Sequence, residues 1–282
     1  MTADPSAATA VVGVIGDPVA HSLSPRLHNA AFRALGIDWV SVGFPVAAGS
    51  LAPALSGMSA LGIRGLSVTM PHKSEAARLV SARTPIAELL GAVNCVWPDG
   101  DGIRGDNTDG AGLLAALARQ AGFDPSGRRC LVIGAGGAAR AVVAALAGEG
   151  AEEVVVVNRS PEPAARAAAL AGPGGRVGVP ADAATADLVV NAIPLGMRPG
   201  DALPLEPGLV PVGALAVDLI YHPSPTPWLG ALRSRGVEAL DGLGMLVHQA
   251  ALQVERWTGL VAPVDAMWRA VVDAPGSGPG RH

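Results

Sequence analysis

The sequence predicts an α/β protein with two cores, on three observations. Short runs rich in Val, Leu and Ile alternate with stretches of helical spacing, which implies parallel or mixed sheets covered on both faces. Residues 129–147 read as strand, glycine-rich turn and helix, with another strand at 153–157. The length of 282 residues accommodates one large or two medium domains.

Taken in order, the first strand spans 11–16 and runs into Asp17-Pro18-Val19-Ala20-His21-Ser22-Leu23-Ser24-Pro25. Ser24 is placed to N-cap a helix with Pro25 at its first position, and Leu27, Ala31, Phe32 and Leu35 share one face of that helix. Helix N-termini with free N–H groups and hydroxyls also bind anions, so Ser22 and Ser24 either cap or hold a carboxylate. A second strand is expected at 39–46, a helix at 50–61, and a short buried strand at 65–70 that Pro71 stops. Helical spacing resumes at 74–80, which leaves Lys73 where strand hands over to helix.

Lys73 is the one lysine of the chain, against nineteen arginines. Arginine stays protonated at any accessible pH, whereas an ammonium starts near pKa ~10.4 and shifts with burial and neighbours. A lone lysine in such a chain is a candidate for proton transfer; compositional drift is the alternative. Ligands collect at the carboxyl ends of strands in open α/β sheets, so Thr69 and Lys73 are both expected to face a site. Residues 92–97 form a fourth strand, closed by a turn at 98–102. Asn94 is polar within it and must be hydrogen-bonded or face that site. The hexapeptide Gly105-Asp106-Asn107-Thr108-Asp109-Gly110 then precedes a helix at 111–119. A carboxylate there would pair with Lys73 if the chain brings the two together; a solvated turn and helix cap is the other reading.

In the second half, strand 129–133 leads into Gly134-Ala135-Gly136-Gly137-Ala138-Ala139-Arg140 and a helix at 141–147. This is a dinucleotide fingerprint in its required context: Gly134 for the tight turn, Gly136 for close approach to a pyrophosphate, Ala139 for helix–strand packing. The following strand ends in Asn158-Arg159-Ser160, without the carboxylate that would take a ribose 2′-hydroxyl, which favours a 2′-phosphate and hence NADP. Glu162 is close enough to keep NAD open. Further strands are expected at 187–193 and 214–221, the latter ending at Tyr221, the only tyrosine. Asp241-Gly242-Leu243-Gly244-Met245 leads into a helix at 246–258 bearing Gln249. Spacing alone would send Gln249 to solvent and Met245 to a core.

Bulk properties exclude several classes. Net charge is −4 and the arginines are scattered, which argues against nucleic acid. No apolar run approaches the ~18 to 20 residues of a spanning helix. Residues 1–10 carry no basic residue and run straight into a strand, so no signal peptide and a cytoplasmic protein are expected. Cys95 and Cys130 have neither metal-ligand spacing nor a disulfide pattern and are expected to be small buried hydrophobes in a reducing compartment; no metal is predicted. The Gly/Pro tail at 275–282 is expected to be disordered.

These motifs together resemble the shikimate dehydrogenase family, in the right order and over nearly the whole chain. The carriers are His21-Ser22-Leu23-Ser24-Pro25, Ser67-Val68-Thr69-Met70-Pro71-x-Lys73, Gly91-Ala92-Val93-Asn94, Asn107-Thr108-Asp109-Gly110, residues 134–140, Asn158-Arg159-Ser160, residues 191–197 and residues 242–249. The resemblance implies an α/β substrate domain (1–109 with 242–282) completed by the C-terminal helices, and a Rossmann NADP-binding domain (110–241). It implies reversible, NADPH-dependent reduction of 3-dehydroshikimate to shikimate, a step in making aromatic amino acids, by a monomer or homodimer. Carried over residue by residue, Ser22 and Ser24 hold the ring carboxylate, while Thr69, Asn94, Asp109 and Gln249 take the hydroxyls. Lys73 and Asp109 form the catalytic pair, and Tyr221, Gly242 and Met245 lie near the nicotinamide. Gly134, Ala135, Gly136, Gly137, Ala138, Asn158, Arg159, Ser160, Asn191 and Ala192 contact the cofactor.

Two departures bear on this. Ser67 stands where the family often has Asn, and Pro163 stands where a second basic residue often follows the Asn-Arg-Ser/Thr motif, leaving Arg159 to grip the 2′-phosphate and NAD use possible. A paralogue acting on quinate or aminoshikimate is the nearest alternative; serine at both carboxylate positions leans to shikimate. A non-catalytic NADP-binding regulator has no evident need for Lys73.

Overall fold

The computed structural model describes residues 4–198 and 200–272; the tail at 275–282 lies outside them. Two compact units are formed. One runs to Thr108 and resumes at Val247; the other is Asp109–Leu246.

The first unit contains β1 (Ala10–Gly16), α1 (Ser24–Leu35), β2 (Trp39–Pro45), α2 (Leu51–Ala60), β3 (Gly65–Val68), α3 (Lys73–Leu79), β4 (Ala82–Arg83), α4 (Pro85–Leu90), β5 (Cys95–Asp99) and β6 (Gly102–Asp106). Its mixed sheet has the order β2-β1-β3-β5-β6-β4. β1 is parallel to both β2 and β3, whereas β5 runs antiparallel to β3 and to β6. That reversal gathers the carboxyl ends of β1, β3 and β6 and the start of β5 at one edge of the sheet. Leu51, Leu55 and Met58 of α2 pack with Ile15, Leu66, Val68 and Val96 beneath it.

The hairpin of β5 and β6 corrects the sequence reading, which ended a strand at 97 and placed none at 102–106. Gly102-Ile103-Arg104-Gly105-Asp106 carries one apolar residue, so its extended form is imposed by pairing, with Cys95 opposite Asp106 and Asp99 opposite Gly102. Asn94 accordingly sits just before a strand rather than inside one. Ser24 is also displaced from its expected role: α1 begins at Ser24 itself, with Leu23 at the N-cap and no capping bond from a side chain. Ser22 accepts instead, from the Ser24 N–H at 3.3 Å.

The second unit contains α5 (Asp109–Ala121), β7 (Arg129–Ile133), α6 (Gly137–Gly148), β8 (Glu153–Val157), α7 (Pro161–Ala168), β9 (Gly175–Val177), β10 (Leu188–Asn191), β11 (Leu215–Asp218), α8 (Pro227–Ser234) and β12 (Glu238–Leu240). Its sheet is wholly parallel, in the order β9-β8-β7-β10-β11-β12. Alternate side chains of β7 serve two cores. Cys130 and Val132 face α6 residues Val142, Val143 and Leu146; Leu131 and Ile133 join the cluster of Trp228, Leu229 and Leu232 on α8. This is the doubly wound arrangement, with strand order reversing between β7 and β10. The three-residue strands β9 and β12 and the helices α7 and α8 were absent from the sequence reading; the strands are too short to show a period.

Helix α9 (Leu243–Thr258) starts in the second unit and continues into the first, where α10 (Val264–Val272) follows and packs on α1. Trp257 of α9 lies so close over β3 that a Cβ on Gly65 would fall 2.3 Å from its indole nitrogen. Both cysteines are buried, and burial pushes the Cys130 thiol up to about 12.

Candidate active site

At the gathered edge of the first unit, the N–H of Thr69 donates to the Ile15 carbonyl at 2.9 Å. The Thr69 methyl occupies the space a Cβ on Gly16 would need, at 2.4 Å, so glycine there lets Thr69 lie across the end of β1. Four residues on, Lys73 opens α3, and its carbonyl accepts from the Val93 N–H at 2.9 Å. His72 before it is wholly buried and donates through Nε2 to the Val46 carbonyl at 2.6 Å. Lys73 is thereby held by backbone bonds on both sides of the strand-to-helix turn, and its side chain is half-buried.

Beside it lies a buried amide and hydroxyl cluster. Asn94 accepts through Oδ1 from the Thr108 N–H at 2.9 Å, which fixes its amide and aims Nδ2 at Thr108 Oγ1, 3.0 Å away, and at Gln249 Oε1, 3.3 Å away. The Thr108 hydroxyl donates to the Gln249 backbone carbonyl at 3.1 Å, binding α9 to the end of β6. Gln249 is only 7 % exposed, so the expectation from spacing, a solvated glutamine, is overturned by the cluster that receives it. The adjoining Asp106 is buried and fully engaged: Thr84 and the Asn107 N–H donate to Oδ1, and Arg256 donates to Oδ2 at 2.9 Å. Asp109 is the residue after Thr108 and opens α5 in the second unit, where it is buried.

In the second unit, Gly134 has φ +116, and a Cβ there would lie 2.8 Å from the Ile193 side chain and 3.2 Å from the Ala192 carbonyl. The turn after β7 is thus pressed over the end of β10, at the switch point. Gly136 is the reverse: it N-caps α6, is exposed, and its Cβ would meet nothing within 4 Å. The N–H groups of the first turn, from Gly137 and Ala138 onward, have no intrahelical acceptor and stand beside that open position. Ala135 lies against the core and Ala139 is inside it.

At the end of β8, Asn158 donates to the Ser160 carbonyl at 3.0 Å, and Arg159 is exposed. Glu162 pairs with Arg166 one turn along α7, so it is engaged away from the strand end. Arg140 on α6 has its pKa lowered by burial and by Arg166. Asn191 is wholly buried and donates to Asp218 at 2.9 Å; Asp218 also accepts from the Ile220 N–H at 3.1 Å and from Thr226 at 2.8 Å. Burial raises the Asp218 pKa against those three bonds. Tyr221 follows this cluster, half-buried. Gly242 is required by contact, since a Cβ would lie 2.1 Å from the Leu219 carbonyl oxygen. Met245 packs in the core with Leu113 and Val190.

Comparison with known proteins is consistent along the chain. The shikimate dehydrogenase substrate binding domain matches residues 14–96, shikimate/quinate 5-dehydrogenase matches 116–182, and the shikimate 5'-dehydrogenase C-terminal domain matches 242–272. A shikimate dehydrogenase (NADP(+)) of Moorella thermoacetica is 44 % identical, covering 97 % of this chain and 96 % of its own. The chain belongs to the shikimate dehydrogenase family. Among solved structures, the Thermus thermophilus shikimate 5-dehydrogenase in complex with NADP(H) and shikimate is 36 % identical with TM-score 0.87, covering 93 % of this chain and 98 % of its own. The Listeria monocytogenes shikimate 5-dehydrogenase in complex with shikimate and NAD is 32 % identical with TM-score 0.85, covering 95 % and 98 %.

Within this shikimate dehydrogenase fold the first unit brings Thr69, Lys73, Asn94 and Gln249 to one sheet edge, and places Ser22 and Ser24 at the start of α1. Asn191 and Met245 are internal to the second unit, where they hold its loops and core. Sequence reading missed Thr108 and Gln253, both buried and bonded to the Asn94–Gln249 pair, and Asp218. Gln253 stands one helical turn from Gln249, a spacing that could have drawn attention to it.

Proposed function

We propose that the chain catalyses the reversible, NADPH-dependent reduction of 3-dehydroshikimate to shikimate. The observation that carries this is the sole lysine, held at the turn between β3 and α3 beside the Asn94–Thr108–Gln249 cluster in a chain of this family. Substrate belongs to a domain of residues 1–109 with 242–282, and cofactor to one of residues 110–241, bounds that differ from those of the two compact units at 109 and 242–246. Ser22 and Ser24 hold the ring carboxylate; their position at the start of α1, where first-turn N–H groups lack intrahelical acceptors, supports this. Thr69, Asn94, Asp109 and Gln249 bind the ring hydroxyls.

The residues around Gly136 suit a dinucleotide: an open position at a helix N-terminus, with glycine where a side chain would obstruct. Arg159 at the end of β8, with Glu162 occupied by Arg166, suits a 2′-phosphate more than a bare ribose hydroxyl. Bound NADPH supplies the hydride for the carbonyl carbon. Lys73 donates a proton to the carbonyl oxygen as negative charge develops there, and in the reverse direction withdraws it from the hydroxyl. Asp109 keeps the ammonium aligned. Tyr221, Gly242 and Met245 shape the nicotinamide end.

No described helix is long and apolar enough to cross a membrane. A cytoplasmic enzyme, monomeric or homodimeric and without a nucleic-acid partner, fits the net charge of −4. The deciding experiment measures initial rates, from the absorbance of the reduced nicotinamide, with shikimate and with quinate, each with NADP⁺ and with NAD⁺. A strong preference for shikimate with NADP⁺ is expected. Comparable rates with quinate or NAD⁺ would point to a paralogue and make Pro163 the residue to explain, and no rate in any combination would sink the enzymatic reading.

A further inference from the structure

The interior of the first unit holds a glutamine that the proposed chemistry does not use. Gln253 is wholly buried on α9. Its Nε2 donates to the Asn94 backbone carbonyl and to Gln249 Oε1, each at 3.0 Å. A backbone carbonyl only accepts, so the first of these bonds determines which end of the Gln253 amide carries nitrogen. The second then requires that Gln249 meet it with oxygen. Asn94 Nδ2 makes the same demand on Gln249 Oε1 from 3.3 Å. Two independent donors thus turn the Gln249 oxygen inward and its amide nitrogen away from them.

On its far side Gln253 Oε1 is buried without a hydrogen-bond partner among the described residues, as is Nε2 of the nearby His28. Burial drives the His28 pKa down to about 3, so the ring is neutral near pH 7. Its Nδ1 lies 3.0 Å from the Ser41 hydroxyl, and the ring stands edge-on to Trp257, centroids 4.9 Å apart.

We infer that Gln253 is a positioning residue for the substrate site: it fixes the Gln249 amide so that nitrogen, not oxygen, is the atom presented to the ligand, which is therefore read there through an oxygen acceptor. This rests on the assignment of Gln249 to the substrate site. Without Gln253, Gln249 loses one of the two donors that specify its orientation, and the flipped amide would present oxygen to the substrate oxygen.

The test is a double-mutant cycle of Gln253→Met and Gln249→Ala on the full chain, reading KM and kcat for shikimate, KM for NADP⁺ and the unfolding temperature. Gln253→Asn, which keeps an amide but withdraws it by one methylene, takes its place should the Met variant not fold. Either change alone is expected to raise KM for shikimate about tenfold, the scale of one hydrogen bond, with KM for NADP⁺ unchanged. In the Gln249→Ala background the change at Gln253 is expected to add less than about twofold, because its target is gone. Equal fold-changes in both backgrounds, or an unaltered KM for the Gln253 variant, would overturn the inference while leaving Gln249 in the site. A Gln249→Ala enzyme with unaltered KM would remove both.

Discussion

Gly136→Ala separates cofactor binding from folding with a single methyl. In the free protein the new Cβ meets no atom within 4 Å, and the backbone at φ −73, ψ −173 is extended and open to any residue. Restricting the unfolded chain stabilises by ~0.4–1 kcal/mol, and alanine at an N-cap costs about as much, so net stability should change by less than about 1 kcal/mol. With a pyrophosphate seated at the first turn of α6, the same methyl intrudes on its oxygens. Overpacking of that kind costs roughly 1–3 kcal/mol, which corresponds to about 5- to 150-fold weaker binding. Gly134→Ala is the control. At φ +116 and 2.8 Å from Ile193, its strain and crowding together should cost about 2–6 kcal/mol of the ~5–15 that hold a domain together. The assay pairs urea unfolding with titration of NADPH fluorescence on each variant. A Gly136→Ala protein that binds NADPH like the parent, or that unfolds as early as Gly134→Ala, would refute the division of labour between the two glycines.

Lys73→Ala should lower kcat by roughly 10²- to 10⁴-fold while NADPH still binds and the unfolding curve is retained; an active variant would remove the acid–base role of the lysine. Asp218 bears on pH: its folded pKa is raised by burial, so the folded unit holds that proton above the point near pH 4 where the unfolded carboxyl releases it. Stability should therefore fall as pH climbs from about 4 through the raised value, and Asp218→Asn should flatten that fall, checked by unfolding temperatures across the range. Asp106→Ala strips Thr84, the Asn107 N–H and the half-exposed Arg256 of their acceptor, and should cost about 1–3 kcal/mol in chemical unfolding. A loss under about 1 kcal/mol would mean that these donors find water.

Much of this protein was readable from the chain alone, where local chemistry left few alternatives. β7 and β8 were delimited because continuous Val, Leu and Ile runs bounded by glycine or charge have no other stable use than buried parallel strands. The glycine-rich turn was legible as a sharp turn because φ +116 and close packing on Ile193 demand glycine at Gly134. Lys73 stood out by being chemically unlike every other cation in the chain. What the tertiary structure decided was what long-range pairing supplies. β6 is extended only because β5 lies beside it, and Gln249 is buried only because α9, about 155 residues further along than Asn94, delivers it to that amide. The orientation of a side-chain amide, as with Gln253, is set by the Asn94 backbone carbonyl together with Gln249 one turn back on α9. No local window of sequence joins Gln253 to Asn94, so only the fold could orient it.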